Sequence, residues 1–246
     1  PIFGFGRNPD RLEKAKQQGL IDHTATSPAQ LSAECSLVVV CTPVDRIARD
    51  VQSLAPHAAD GTLFTDGGSV KQMLCEALSD LPNYLGAHPM AGSEKNGFEN
   101  SDANLFQDRV CILTPEAQHD EQTLSRATRF WEFLGMKTRT LSPAEHDRAV
   151  AFASHLPHLI SAALSQTLPA QYRDFVGGGF RDSTRIAAGD PGLWNAIFQG
   201  NRDNLNETVE QFLATLDQFR NSVNAADSAD LITLLEQAKK NRDQLE

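Results

Sequence analysis

Basic residues are in deficit. The 246-residue chain carries 22 Lys and Arg against 32 Asp and Glu, a net charge of −10 with His neutral. Such a balance argues against a nucleic-acid partner, whose phosphates need a basic face. The deficit is even: residues 1–141 hold 13 basic and 18 acidic side chains and residues 142–246 hold 9 and 14, so each part stands at −5. An anionic substrate therefore requires a local pocket of Arg or His. Cysteine is sparse, and Cys35, Cys41, Cys75 and Cys111 show neither CxxC nor zinc-ribbon spacing, so no metal is expected. Cys41 and Cys111 sit in apolar strand-like runs and read as small buried hydrophobes, with a reducing cytoplasm as the default compartment. No apolar run approaches the ~20 residues that span a bilayer, so no membrane partner is expected. The basic start and apolar run of a signal peptide are also lacking. With 40% hydrophobic and 22% charged residues, disorder and collagen-like repeats are excluded.

What is present is a change of pattern along the chain. Residues 1–141 alternate short apolar runs with helical segments. Strands are expected at 1–5, 36–41, 62–65, 84–87, 110–113 and 137–140. The run SLVVVC is apolar on both faces, as a buried parallel strand is. Helices are expected after Asn8 and Pro9 as far as Gln18, ending at Gly19, and near 44–54, 70–78 and 121–134. Alternation of this kind implies βαβ units, a mostly parallel sheet and right-handed crossovers. From Ser142 the strands stop. Ser142, Pro143 and Glu145 form a capped helix start, and helical periodicity runs through 162–168, 205–219 and 231–245. The apolar stripes there suit dimerisation, although a packed monomeric bundle would show the same stripes.

Several segments could carry chemistry. Gly4-Phe5-Gly6-Arg7-Asn8-Pro9 fails as a dinucleotide loop, because Pro9 takes the place of the third glycine. It reads better as the end of the second strand of a Rossmann unit, which predicts a domain lacking its first strand and Gly-rich loop, with Pro1 as a cut edge. An acid at that strand end binds the NAD ribose, whereas an Arg suits the NADP 2′-phosphate. Arg7 is accordingly either a phosphate partner or a surface Arg. Cys41-Thr42-Pro43 and Asp66-Gly67-Gly68-Ser69 end two further strands, where α/β proteins bind ligands. Ser69 reads equally as a helix N-cap. His88 follows another strand and is either a general base or a structural histidine. His155 and His158 lie three apart on a helix but have no third metal ligand at usual spacing. Arg181 and Arg185 follow a triple-glycine turn and either clamp a carboxylate or sit in a solvated loop with Asp182. A serine hydrolase is disfavoured, since no GxSxG elbow occurs.

TDGGSVK, GAHPMAGSEKNGFE, SHLPHLI, GGGFRDSTRIA and PGLWNAIFQGN, in that order, resemble the prephenate/arogenate dehydrogenases of tyrosine biosynthesis. The resemblance covers nearly the whole chain. It implies an α/β Rossmann-like NAD(P)-binding domain over residues 1–141, N-terminally incomplete, followed by an all-α dimerisation and substrate domain over 142–246. It also implies NAD(P)-dependent oxidative decarboxylation by a cytoplasmic homodimer, with prephenate or arogenate as the small-molecule substrate. By motif, His88 matches the catalytic histidine and Ser69 the serine that contacts it. His158 and Arg185 match substrate-binding groups, and Glu94 and Asp182 match acids that shape or gate the pocket. Thr42 and Pro43 match the turn beside the nicotinamide. Arg7 in place of an acidic ribose partner leads to an expectation of NADP over NAD. Without a phosphate loop, the 246-residue chain is expected to bind cofactor poorly, while the intact protein is expected to be active. Two other readings stand beside this one. One is a non-catalytic dimeric binding protein that has lost its phosphate loop. The other is a β-hydroxyacid dehydrogenase, which would want a catalytic Lys on the helical domain, where only Lys239 and Lys240 occur, near its far end.

Overall fold

A computed structural model describes residues 1–25, 27–28, 35–92, 98–225 and 228–245. They form two compact units, Pro1–Asn201 and Arg202–Glu246. Packing therefore divides the chain at Asn201, whereas the change from strands to helices falls at Leu141.

The first unit contains strands β1 (Phe3–Phe5), β2 (His23–Ala25), β3 (Leu37–Val40), β4 (Leu63–Asp66), β5 (Gly86–Pro89), β6 (Val110–Thr114) and β7 (Lys137–Thr140). β1 pairs with β2, β3 with β4 and β6 with β7, all in parallel. Backbone bonds from Phe64 to Asn83 and from Leu85 to Phe64 tie β4 to the segment that leads into β5. The β5–β6 pair is antiparallel, with His88 opposite Ile112. That pair is the exception within the mostly parallel pairing that the sequence implies. Strand composition encodes burial but not direction, and a parallel return needs a crossover, usually an α-helix. Among the described residues, the only helical turn between β5 and β6 is the short 3-10 segment Phe98–Asn100.

Alternation along the strands sends side chains to two apolar layers. Phe64 and Tyr84 join Val40, Val44, Ile47, Val51, Val70, Leu74 and Ile197 on one face. Their chain neighbours Leu63 and Leu85 join Ala87, Cys111, Leu113, Ala127, Trp131 and Met136 on the other. After β1 comes α1 (Pro9–Gln17); the first layer is covered by α2 (Val44–Leu54) and α3 (Gln72–Ala77), the second by α4 (Glu121–Phe133). In α2 the buried positions Val44, Ile47, Val51 and Leu54 keep helical spacing and so form one stripe. Cys111 is buried as expected, but Cys41 is exposed, because the chain leaves the sheet after Val40.

Ser142 opens α5 (Pro143–Val150) with a full capping box: its hydroxyl accepts from Glu145 N while Glu145 accepts from Ser142 N. One wide π turn, Ala151–His155, then leads into α6 (Leu156–Gln166). Next come α7 (Gly178–Thr184) and α8 (Pro191–Gly200), the latter capped by Asp190. Ile197, Trp194 and Phe198 of α8 pack into the first apolar layer, so the sheet and these helices share a core.

The second unit is a pair of helices, α9 (Arg202–Asn224) and α10 (Ser228–Asp243). Leu213, Leu216, Val223, Ile232 and Leu235 are exposed on them. No helix among the described residues is long and apolar enough to cross a membrane.

Leu113 lies at the centre of the second layer with no exposed surface. Leu113→Ala is expected to lower unfolding free energy by about 2–5 kcal/mol, the combined loss of transfer energy and the cavity left behind. Urea denaturation measures it, and a loss below ~1 kcal/mol would show that the layer collapses around the gap.

Candidate active site

The carboxyl ends of β3, β4 and β5 converge. A Cβ placed on Gly67 would lie 3.8 Å from the Pro89 ring and 3.9 Å from Cys41 Sγ, so the three strand ends meet there. At the end of β4 the fully buried carboxylate of Asp66 gathers four donors. These are Gly68 N at 2.8 Å, Tyr84 Oη at 3.0 Å, Ala87 N at 3.0 Å and the buried ammonium of Lys71. A buried ion pair holds only when its remaining lone pairs are satisfied, and here they are.

His88, the third residue of β5, is 7% exposed. Its Nδ1 lies 2.8 Å from Nε2 of His146, and His146 Nδ1 lies 2.7 Å from Asp147 Oδ1. Asp147 also accepts from Lys71 N at 2.7 Å and from Gln72 N at 3.0 Å. It therefore caps α3 from a distant helix. Ser69, one reading of which is that N-cap, does not hold the position. Ser69 is half-buried in the turn after β4 and has no hydrogen-bond partner among the described residues. Asn201 closes the arrangement, with its amide nitrogen 2.7 Å from Asp147 O and 3.1 Å from His155 Nδ1.

Burial sets the charge of these imidazoles. It is the largest influence holding His88 well below the ordinary histidine range, with His146, Lys71 and His155 adding to it. Burial also lowers His146 against the opposing pull of Asp147, and brings His155 down to about 4. His158 is lowered by burial as well. A base of this kind is unprotonated at neutral pH.

A second group lies on α6 and α8. His158 stacks on Trp194 with ring centroids 3.5 Å apart, and Phe198 meets it edge-on at 6.0 Å. A Cβ on Gly189 would stand 2.6 Å from Trp194 Nε1 and 3.2 Å from His158 Cε1, so only glycine fits there. His155 Nε2, His158 Nδ1 and Ser161 Oγ are buried without a partner among the described residues. Orphaned polar atoms in such a cluster suit a polar ligand or ordered water.

The other sequence-derived positions fall around these groups. Thr42 and Pro43 are exposed at the end of β3, and Arg7 is exposed after β1. α7, with Asp182, and the turn that begins at Arg185 both pack beside α6; Asp182 and Arg185 are exposed. Glu94 lies outside the described residues. No group that could hold a metal ion occurs among the described residues. Asp66, Lys71 and Asn201 lie within distinctive motifs, but the sequence assigns no role to them or to His146 and Asp147. The acid at the end of β4 is a usable signal for Asp66, but nothing local marks His146 or Asp147.

The family model described as "Prephenate dehydrogenase, nucleotide-binding domain" matches residues 1–140, and "Prephenate dehydrogenase, dimerization domain" matches 142–237. The chain belongs to the prephenate dehydrogenase family. Within that family, it is 31% identical over 240 residues to the cyclohexadienyl dehydrogenase of Zymomonas mobilis, covering 94% of this chain and 82% of the relative. The crystal structure of prephenate dehydrogenase from Aquifex aeolicus, in complex with hydroxyphenyl propionate and NAD+, superposes with a TM-score of 0.93 at 32% identity. That match covers 99% of this chain and 88% of the other. The Synechocystis arogenate dehydrogenase structure gives a TM-score of 0.86 at 30% identity, covering 99% and 91%.

Folded-state pKa values below the ordinary 6.5 mean that the unfolded chain takes up protons first as pH falls. Stability is thus fully present above about pH 6.5 and is lost toward the folded values, about 4 for His155. Unfolding free energies from urea titrations across that window are expected to fall by on the order of 1 kcal/mol per pH unit for each such ring. A flat profile would mean that these rings are not buried neutral.

Proposed function

We propose that this chain catalyses the NAD(P)-linked oxidative decarboxylation of prephenate or arogenate, giving 4-hydroxyphenylpyruvate or tyrosine, with His88 as the general base. The observation that carries this reading is the state of His88: it is buried and neutral, with Nδ1 engaged by His146 and Nε2 without a partner among the described residues. His88 Nε2 takes the proton of the substrate's C4 hydroxyl, and the O–H electron pair forms the carbonyl as hydride leaves C4. The bound nicotinamide supplies the hydride acceptor. The bond to the ring carboxylate then breaks as CO2 departs, and its electron pair moves through the diene to the carbonyl oxygen. That oxygen regains the proton from His88, leaving a phenol.

The remaining roles follow from placement. Ser69, on the neighbouring strand end, donates to or accepts from the substrate hydroxyl. His158 lines the pocket, and Arg185 clamps a carboxylate, supplying the local positive charge that a −10 chain needs. Asp182 and Glu94 shape the pocket entrance. A dinucleotide fits the strand ends, because Thr42 and Pro43 stand exposed there and Gly67 keeps that junction free of a side chain. Thr42 and Pro43 hold the nicotinamide end, and Arg7 meets the 2′-phosphate, which favours NADP over NAD. The exposed Leu213, Leu216, Val223, Ile232 and Leu235 support a homodimer formed through the helical region. A β-hydroxyacid dehydrogenase is less well supported, since Lys239 is exposed and pairs with Asp243 on its own helix.

Two measurements test the proposal. His88→Asn is expected to lower kcat about 10²–10⁴-fold with an unchanged circular dichroism spectrum, and normal turnover would remove His88 as the base. Separately, kcat/KM is expected to be higher with NADP than with NAD, and Arg7→Ala to erase the difference. An equal or better value with NAD in the unsubstituted protein would overturn the preference.

A further inference from the structure

His146 and Asp147 have no part in the reaction as written, yet they stand directly behind its base. The protons in this group can be assigned by elimination. An ionised carboxylate only accepts, and Asp147 Oδ1 already faces Lys71 N–H. The His146 nitrogen 2.7 Å from that oxygen, Nδ1, therefore carries a hydrogen. His146 is fully buried, and Lys71 disfavours a second positive charge nearby, so the ring is neutral and its Nε2 holds a lone pair. A lone pair at that atom, 2.8 Å from His88, requires the hydrogen of His88 to sit on Nδ1. His88 Nε2 is then the unprotonated atom.

We propose that His146, oriented by Asp147, is a positioning residue that holds His88 in its Nδ1–H tautomer and receives that Nδ1 proton when Nε2 takes one from substrate. The inference rests on His88 being the base. The proton count closes. One proton arrives at His88 Nε2, one passes from His88 Nδ1 to His146 Nε2, and the hydrogen between His146 Nδ1 and Asp147 stays in place. Reversal returns the proton to the phenolate oxygen. The charge ends on the ring nearer to Asp147, at one further remove from the reacting carbon.

The arrangement also has an off state. The charged and titratable groups facing the pair are Asp147 from α5, Lys71 and Asp66 from β4 and the turn before α3, and His155 from the π turn. When His146 gains a proton in acid, both its nitrogens donate. His88 Nδ1 must then accept, its hydrogen moves to Nε2, and the base is blocked before His88 itself is charged.

The test uses ¹⁵N-labelled protein and long-range ¹⁵N–¹H correlation of the histidine rings near neutral pH. His88 is expected to show a protonated Nδ1 and a bare Nε2, and an Nε2–H form would overturn the proposal whatever the activity. In kinetics, His146→Leu removes the acceptor and is expected to lower kcat about 100-fold with KM changed less than about 3-fold. His146→Gln restores a carbonyl acceptor and is expected to recover at least about 10-fold of that loss. If His146→Leu keeps normal kcat and acid limb while His88→Asn is inactive, the positioning role is wrong but the base stands. If His88→Asn is active, the base assignment itself fails. Should His146→Leu not fold, the tautomer measured in the unsubstituted protein still decides.

Discussion

The carboxylate of Asp147 accepts three hydrogen bonds: two from the backbone at the start of α3 and one from His146. Through the first two it joins α5 to the turn that follows β4, and so fixes the helical region against the sheet. Through the third it sets the ring behind His88. Its own carbonyl, held by Asn201, extends the tie to the end of α8. The docking of α5 on α3 and the placement of the ring behind His88 thus share one side chain, and neither contact could be withdrawn without disturbing the other. The Asp66–Lys71 pair supports it from below, because the Lys71 that gives its backbone N–H to Asp147 gives its ammonium to Asp66.

Electrostatics in this region oppose the net charge of the chain. A −10 protein keeps a buried ammonium close to a buried imidazole, and that combination favours the neutral ring. The positive charge is cancelled by Asp66, while the hydrogen bonds to Tyr84 and Ala87 prevent that carboxylate from being left short of donors. Removing either partner would leave an uncompensated buried charge, the costly case for such pairs.

Much of the fold was legible because it rests on local pattern. SLVVVC and the stripe of α2 describe burial on two faces and on one, and the Ser142 capping box marks a helix start on its own. The strand His23–Ala25 was not legible, since three residues of mixed polarity carry no periodic signal. Nor was the direction of β5, which depends on its connection and not on its composition. In the site, His88 and His158 stood out within distinctive motifs. His146 and Asp147 did not, because on their own helix they are an unremarkable polar pair, and their roles exist only once α5 lies beside α3. Asn201 has meaning only where the end of α8 reaches Asp147 and His155.

The π turn at Ala151–His155 separates the two histidine groups, with His146 before it and His158 after it on one continuous helical path. Each residue of a regular α-helix advances the side-chain direction by about 100°, and a π turn holds one residue more than an α turn. The wide turn therefore works as a gear tooth. It lets α5 aim His146 at His88 while α6 aims His158 at Trp194, two directions that a uniform helix with the same number of residues between them would not serve together. Deleting one residue there would close the wide turn to an ordinary α turn and leave α6 aimed nearly as it is now, whereas a deletion within α5 or α6 would swing everything after it by about 100°. Between relatives of this protein, a one-residue difference in length is thus expected to be tolerated in that short stretch and not in the regular turns on either side.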